Sequence, residues 1–344
     1  MNKNYKLLTV VAIIIVIIIA VILAIIFAAK KKSGGATLTQ VPVSEKVFYP
    51  HLASDGQFLY YFGDHGARLK KFDFAGQETE ELYPDDILFT TQVFWSPDDS
   101  KVIIFNNDSL AKSPVRLFQI EKGQFQDLDK NIKNVIWSAD SEKIYYQFYD
   151  QENNLNYLAS ANFDGSHEVK LLDLQYLNYG LVWLDNYQKI GYWSKPTEVG
   201  GTKFWLFDLK TKESQAVFSD YRLGDALSSP KGDYLAYSRF DQTKSIFTIS
   251  LALFNGEKNY DSVVTGTVNN AVWSSDEKFL IAAANVSGEN DSLYRIEAPS
   301  AKSAEIKYQF KGTDKVSAEN LMLSPDNKTL YFISNDILYQ LAIN

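Results

Sequence analysis

Seven times along this 344-residue chain the same phrase returns: a large residue, Ser, Pro or a small residue, Asp or Asn, a polar residue or Gly, then an alternating apolar strand. Its clearest copy is Trp95-Ser96-Pro97-Asp98-Asp99, followed by Val102-Ile103-Ile104-Phe105. The others open at Leu52, Trp137, Trp183, Ser228, Trp273 and Leu323, so successive copies stand 43, 42, 46, 45, 45 and 50 residues apart. The copy at Trp183 is degenerate, with Leu184-Asp185-Asn186 in place of Ser-Pro-Asp. A repeat of this length is one four-stranded unit that cannot bury its faces alone and must stack on its neighbours.

The chemistry of the phrase places it. Pro pre-sets φ at the second position of a turn, Asp or Asn caps its own backbone, and the next residue takes a left-handed conformation before the bulge. The phrase is therefore the tight hairpin between the first and second strands of a blade. The Trp before it ends the first strand and is expected to bury its ring between neighbouring sheets. A third and an outer fourth strand follow each copy, but the chain stops at Asn344 just after the third strand of the seventh. A surplus strand around Thr37-Leu38-Thr39-Gln40-Val41 matches the missing one. Pairing them closes the ring and leaves no sheet edge between first and last blades. The expectation is an all-β, seven-bladed β-propeller over residues 37–344.

Ahead of it, Leu7 to Ala29 is a run of 23 residues in which Thr9 is the only polar member. As a helix it would be ~35 Å long, enough for a hydrocarbon core of ~30 Å. A cleaved signal peptide would be shorter and would end on small residues, whereas this run exits through Ile26-Phe27-Ala28-Ala29-Lys30. The sequence thus predicts a short tail over 1–6, a transmembrane anchor helix over 7–29 and a linker over 30–36. Lysines flank the run on both sides (Lys3 and Lys6, then Lys30, Lys31 and Lys32), so charge alone leaves the orientation nearly tied.

Residues 35–344 carry 29 basic and 42 acidic residues, a net charge of −13. So acidic a domain repels a phosphate backbone, and no nucleic-acid partner is expected. The chain has no Cys, which excludes disulfides, thiolate metal sites and Cys nucleophiles. His51, His65 and His167 fall in different blades and are not expected to share a metal; no metal site or cofactor is expected. There is no Gly-x-Ser-x-Gly elbow for a serine hydrolase.

Trp-Ser-Pro-Asp-Asp-Ser-Lys-Val-Ile-Ile-Phe at 95–105 resembles the repeat of the TolB-type, WD40-like (PD40) β-propellers, which is similar in turn to the propeller repeats of the dipeptidyl-peptidase group. The resemblance covers residues 46–344 through all seven copies. It implies a propeller on the extracytoplasmic side of a cell membrane, held there by the single N-terminal span.

Function on such a scaffold lies in loops, and the longer, more varied ones connect the fourth strand to the next first strand and the second to the third. They share the face opposite the Ser-Pro-Asp turns. Tyr83, Asp85, Asp86, Tyr176, Tyr179, Trp193, Tyr221, Arg222 and Asp225 stand there as candidate binding residues, aromatics and Arg among acids. The expected function is a non-catalytic binding module for a protein or peptide, anchored in the lipid bilayer, and not an enzyme. Two other readings stay open: a structural member of a cell-envelope complex, and a glycan-directed hydrolase or lyase working in the propeller channel.

Overall fold

The structure is a computed structural model that describes residues 36–343 apart from 108–112, 195–201, 222, 242–243, 256–257, 285–289 and 311–313. The transmembrane helix expected over 7–29 lies outside the described residues. Among those described, no helix is long and apolar enough to cross a membrane.

Seven four-stranded antiparallel sheets follow one another along the chain. Their first strands are Phe48–Leu52, Thr90–Trp95, Ile132–Trp137, Tyr179–Leu184, Leu223–Ser228, Ala271–Trp273 and Glu319–Leu323. Six successive pairs of them are neighbours, the seventh with the first included, and the fifth meets the sixth blade through Val268–Asn270, so they ring one axis. The seventh sheet takes its outer strand from the other end of the chain: Thr39 pairs with Gln340 and Gln40 with Tyr339. The linker expected through residue 36 ends one residue early, because Ala36–Thr37 already pairs in parallel with Tyr308–Gln309. Burial of Leu38, whose N–H donates to the Gln309 carbonyl, draws this segment onto the domain.

The core lies at the seams between blades. Seven hydrophobic clusters each join residues of two adjacent sheets, one cluster per seam. Second strands have a neighbour on both faces, which is why Phe279–Ala284 is buried at every residue. At the seventh-to-first seam, Val41, Val43 and Val47 pack with Leu59, Tyr61 and Phe72, so the N-terminal segment fills the joint that it closes.

The repeated phrase works as a turn and also as a latch. Ser96, Ser138 and Ser324 donate through Oγ to Asp98, Asp140 and Asp326, each at 2.6 Å. The same oxygens accept from the N–H of Lys101, Lys143 and Thr329 at 2.9 Å, which locks the hairpin. The fifth residue is left-handed wherever the phrase is intact, as at Gly56, Asp99, Ser141, Gly232, Glu277 and Asn327. Where it has a polar side chain, that side chain reaches back to the preceding blade. Asp99 accepts from Ser54 N–H (2.7 Å), Ser141 from Asp98 N–H (3.2 Å), Glu277 from Lys231 N–H (2.6 Å) and Asn327 from Ser275 N–H (2.9 Å). Where it is Gly232, the preceding turn comes so close that an added Cβ would sit 2.5 Å from Leu184 Cα.

Candidate functional site

Two openings lie on the axis, at opposite ends, and both are walled by Phe94, Val135, Ile136 and Leu181. These four apolar residues stand between the two mouths.

The mouth on the loop face has a volume of about 290 Å³ and a polar rim: Gln92, Asn134 and Asp225 stand near the starts of three first strands, and Asn269 in the single 3-10 turn before a fourth. Asn269 donates through Nδ2 to Asp225 at 2.8 Å. Trp193 forms part of the wall, stacked on Phe204, its indole N–H on the Gly224 carbonyl at 3.3 Å. Gly180 makes room for that ring, since a Cβ there would lie 2.1 Å from it.

Of the residues expected on this face, the structure therefore brings Trp193 and Asp225 together. Tyr176 is exposed, whereas Tyr179 is buried against Tyr176, Tyr192 and Trp205. Burial raises the Tyr179 phenol above its ordinary value. Tyr83 packs edge-on against Phe118 and Phe125. Asp85 is exposed, and Asp86 pairs with Arg68 at 2.7 Å. The Tyr221 side chain and all of Arg222 lie outside the described residues. Tyr221 and Asp225, expected in a loop, are strand residues: one ends Ser214–Tyr221, and the other lies in Leu223–Ser228, which pairs through Leu223 with Arg239.

Of the five large apolar side chains exposed on this face, sequence reasoning singled out Tyr176 and missed the other four. Leu88, Phe89, Leu155, Tyr176 and Leu177 are exposed in the loops of this face or at their edge, and they are five of the seven large hydrophobics so exposed among the described residues. The other two, Val169 and Val263, sit on outermost strands. Phe89 is 66% exposed and left-handed (φ 57°), an outlier for a bulky side chain. Tyr176 and Leu177 are held from beneath: Gln147 Nε2 donates to both carbonyls at 3.2 Å, and Asn156 Nδ2 to that of Tyr176 at 2.8 Å. The available signal was a pair of large apolar residues inside a loop, Leu88-Phe89 and Tyr176-Leu177.

The mouth on the turn face is larger, about 540 Å³, and aromatic. Trp95, Trp137 and Trp183 line it from three successive blades, with Tyr187 from the degenerate turn and His51 from the first blade. Trp137 donates its indole N–H to the Phe94 carbonyl at 2.9 Å, and Trp183 donates to the Trp137 carbonyl. In the sixth blade Trp273 does the same to Leu227 at 3.2 Å. Trp95 breaks the pattern: its Nε1 is buried without a hydrogen-bond partner. The first strand of the first blade bulges between Phe48 and His51, and the His51 ring stacks on Trp95 instead, 4.9 Å away and 6° from parallel. His51 Nε2 bonds Asp99 Oδ1 at 2.7 Å. Burial pushes the Asp99 carboxyl up, but His51 and the Ser54 N–H outweigh it and hold the group below its ordinary value. Burial, then Asp99 and Asp55, raise the Tyr60 phenol beside this stack. His65 and His167 sit elsewhere, and among the described residues no group of three or more His, Asp or Glu could hold a metal ion.

No protein-family model and no curated protein matches the sequence. Solved structures do. An oligogalacturonate lyase in complex with manganese matches with a TM-score of 0.68 at 15% identity, covering 91% of this chain and 94% of that one. An oligogalacturonate lyase from Vibrio parahaemolyticus matches at 0.65 and 13%, covering 89% and 93%. TolB from Acinetobacter baumannii matches at 0.51 and 10%, covering 88% of this chain and 64% of TolB. The expectation of a non-enzyme falls here. Two enzymes share this architecture over nearly its whole length, so the lack of a serine-hydrolase elbow says nothing against other chemistry in the channel. At such identities the likeness establishes the fold alone, a β-propeller like those of TolB and the lyases.

Proposed function

We propose that this chain is a membrane-anchored, extracytoplasmic binding module that holds a protein or peptide partner on its loop face. The observation that carries the reading is the gathering of Leu88, Phe89, Leu155, Tyr176 and Leu177 on that face. Exposed apolar side chains rimmed by polar groups mark interaction surfaces, and here Asp85, Asp86 and Asp225 stand among them. A strained Phe89 and carbonyls pinned by Gln147 and Asn156 hold the anchors ready at low entropic cost.

Cross-linking and pull-down of the full chain from membranes tests this. Phe89→Asp with Leu177→Asp should remove the captured partner while the melting temperature stays within a few degrees of the parent. Retention of every partner by the folded variant would refute the face. For the anchor, protease added to intact cells should digest the propeller, and protection would refute the orientation.

A second reading, a glycan-directed lyase, has its own observations in the likeness to oligogalacturonate lyases and in the His51–Asp99 pair within the turn-face mouth. A carboxylate that orients an imidazole prepares it to take a proton, as the first step of a β-elimination requires. Incubation with oligogalacturonate, followed by the ultraviolet absorbance of the unsaturated product, decides it: activity lost in His51→Asn supports the reading, and an inert parent protein sinks it.

A further inference from the structure

The turn-face mouth lies at the far end of the axis from the proposed partner surface, and the geometry points to a second ligand site there, one for an alkylammonium group. Its walls combine three features. Four large aromatic side chains, Trp95, Trp137, Trp183 and Tyr187, converge on it from three blades, and ring faces attract cations through their quadrupole. No Lys or Arg is among the residues lining the cavity, and Asp99 is the one carboxylate. Asp99 sets a carboxylate in the cavity wall, inside a domain whose own charge is −13.

Tyr187 gives the site its particular shape. In the other blades the tight turn is closed by the Ser-Pro-Asp phrase and its left-handed fifth residue. In the fourth, Asp185, Asn186 and Tyr187 are all left-handed (φ 53°, 49° and 64°), and the turn tips a half-buried tyrosine ring over the mouth beside Trp183, 5.5 Å between centroids. A bulky residue holding such a conformation is strained, and strain of this kind gathers at sites of function. At about 540 Å³ the cavity exceeds a trimethylammonium head several-fold, so it also admits the chain or headgroup to which the cation is attached.

Choline and its uncharged isostere 3,3-dimethyl-1-butanol separate this site from a merely apolar one. Each is titrated into the full chain in maltoside at pH ~8, read by tryptophan fluorescence. Choline is expected to bind roughly tenfold tighter than the alcohol. Tyr187→Gly relieves the turn while removing the ring and should weaken choline about fivefold without lowering the melting temperature; Asp99→Asn should weaken choline and leave the alcohol unchanged. Equal affinity for the two probes, no binding of choline, or unchanged choline affinity in folded Tyr187→Gly overturns the proposal. Two further arms identify the source: a trimethyl-lysine peptide tighter than choline assigns a polypeptide, and phosphatidylcholine in mixed micelles tighter than choline assigns a lipid headgroup. Partner capture by the loop face is read separately and is unaffected by these variants.

Discussion

Trp95 and Trp137 occupy equivalent places in neighbouring blades, yet their indole N–H groups have opposite fates. That of Trp137 meets the Phe94 carbonyl at 2.9 Å in a side chain only 5% exposed, while that of Trp95 is buried with no partner. Replacing each in turn by β-(3-benzothienyl)alanine keeps both rings and deletes only the donor. At 137 the change removes a hydrogen bond and leaves the part-buried Phe94 carbonyl without its indole donor, a loss of about 2 kcal/mol. At 95 it removes a desolvated donor that gained nothing, so the protein is unchanged or stabilised by about 1 kcal/mol. For a domain of this size about 1 kcal/mol moves the melting temperature by roughly 2 °C. Calorimetry should therefore show a fall of roughly 4 °C at 137 and none, or a rise of roughly 2 °C, at 95. Equal falls at both positions would mean that the Trp95 N–H is satisfied in solution and that the first seam is built like the others.

Other consequences follow from the turns and the closure. Gly232→Ala puts a Cβ 2.5 Å from Leu184 Cα at φ +78° and should cost about 3 kcal/mol or more, whereas Gly123→Ala, with φ +58° and open space around it, should cost only about 1 kcal/mol; equal urea midpoints would refute the close approach. Because the folded-state Asp99 carboxyl lies below its unfolded value, its stabilisation is present above about pH 4 and is lost as pH falls through the folded value. Asp99→Asn should thus lower the melting temperature at neutral pH and flatten its decline in acid; an unchanged acid limb counts against the latch. Since the chain has no Cys, Thr39→Cys with Gln340→Cys introduces a single bond across a separation of 301 residues. It should form on mild oxidation and raise the melting temperature over the reduced form, with a chain-entropy ceiling on the order of 5 kcal/mol; failure to form would refute the pairing.

The architecture was open to sequence reading because its repeat and its turn chemistry say the same thing. Ser96, Asp98 and Asp99 are demanded by one hairpin, and their recurrence at blade spacing leaves little freedom in how the sheets stack. Even the closing strand could be read, from a strand missing at one end and spare at the other. The loop face was harder, because an aromatic residue near a strand end carries no mark of its side. Tyr179 and Trp193 looked like loop residues, but Tyr179 begins a first strand and Trp193 nearly ends a second, and both turn inward. Phe89 and Leu177, the more exposed anchors, offered only an apolar pair in a polar stretch.

The aromatic mouth was hidden for a different reason. A Trp at the end of each first strand is what seam packing asks for, and Trp137 and Trp273 meet that demand fully, each buried and bonded across its seam. The same strand end also borders the axis, so one residue type serves core and cavity at once, and periodicity cannot separate the two uses. What separates them is departure from the pattern. The first blade bulges and offers His51 where a carbonyl would have met Trp95, and the fourth discards Ser-Pro-Asp and raises Tyr187 over the mouth. Both departures point at the same 540 Å³. A fold specified by seven consistent repeats can give up consistency in two of them at little risk to the ring, and a site is the place where such a concession has a use.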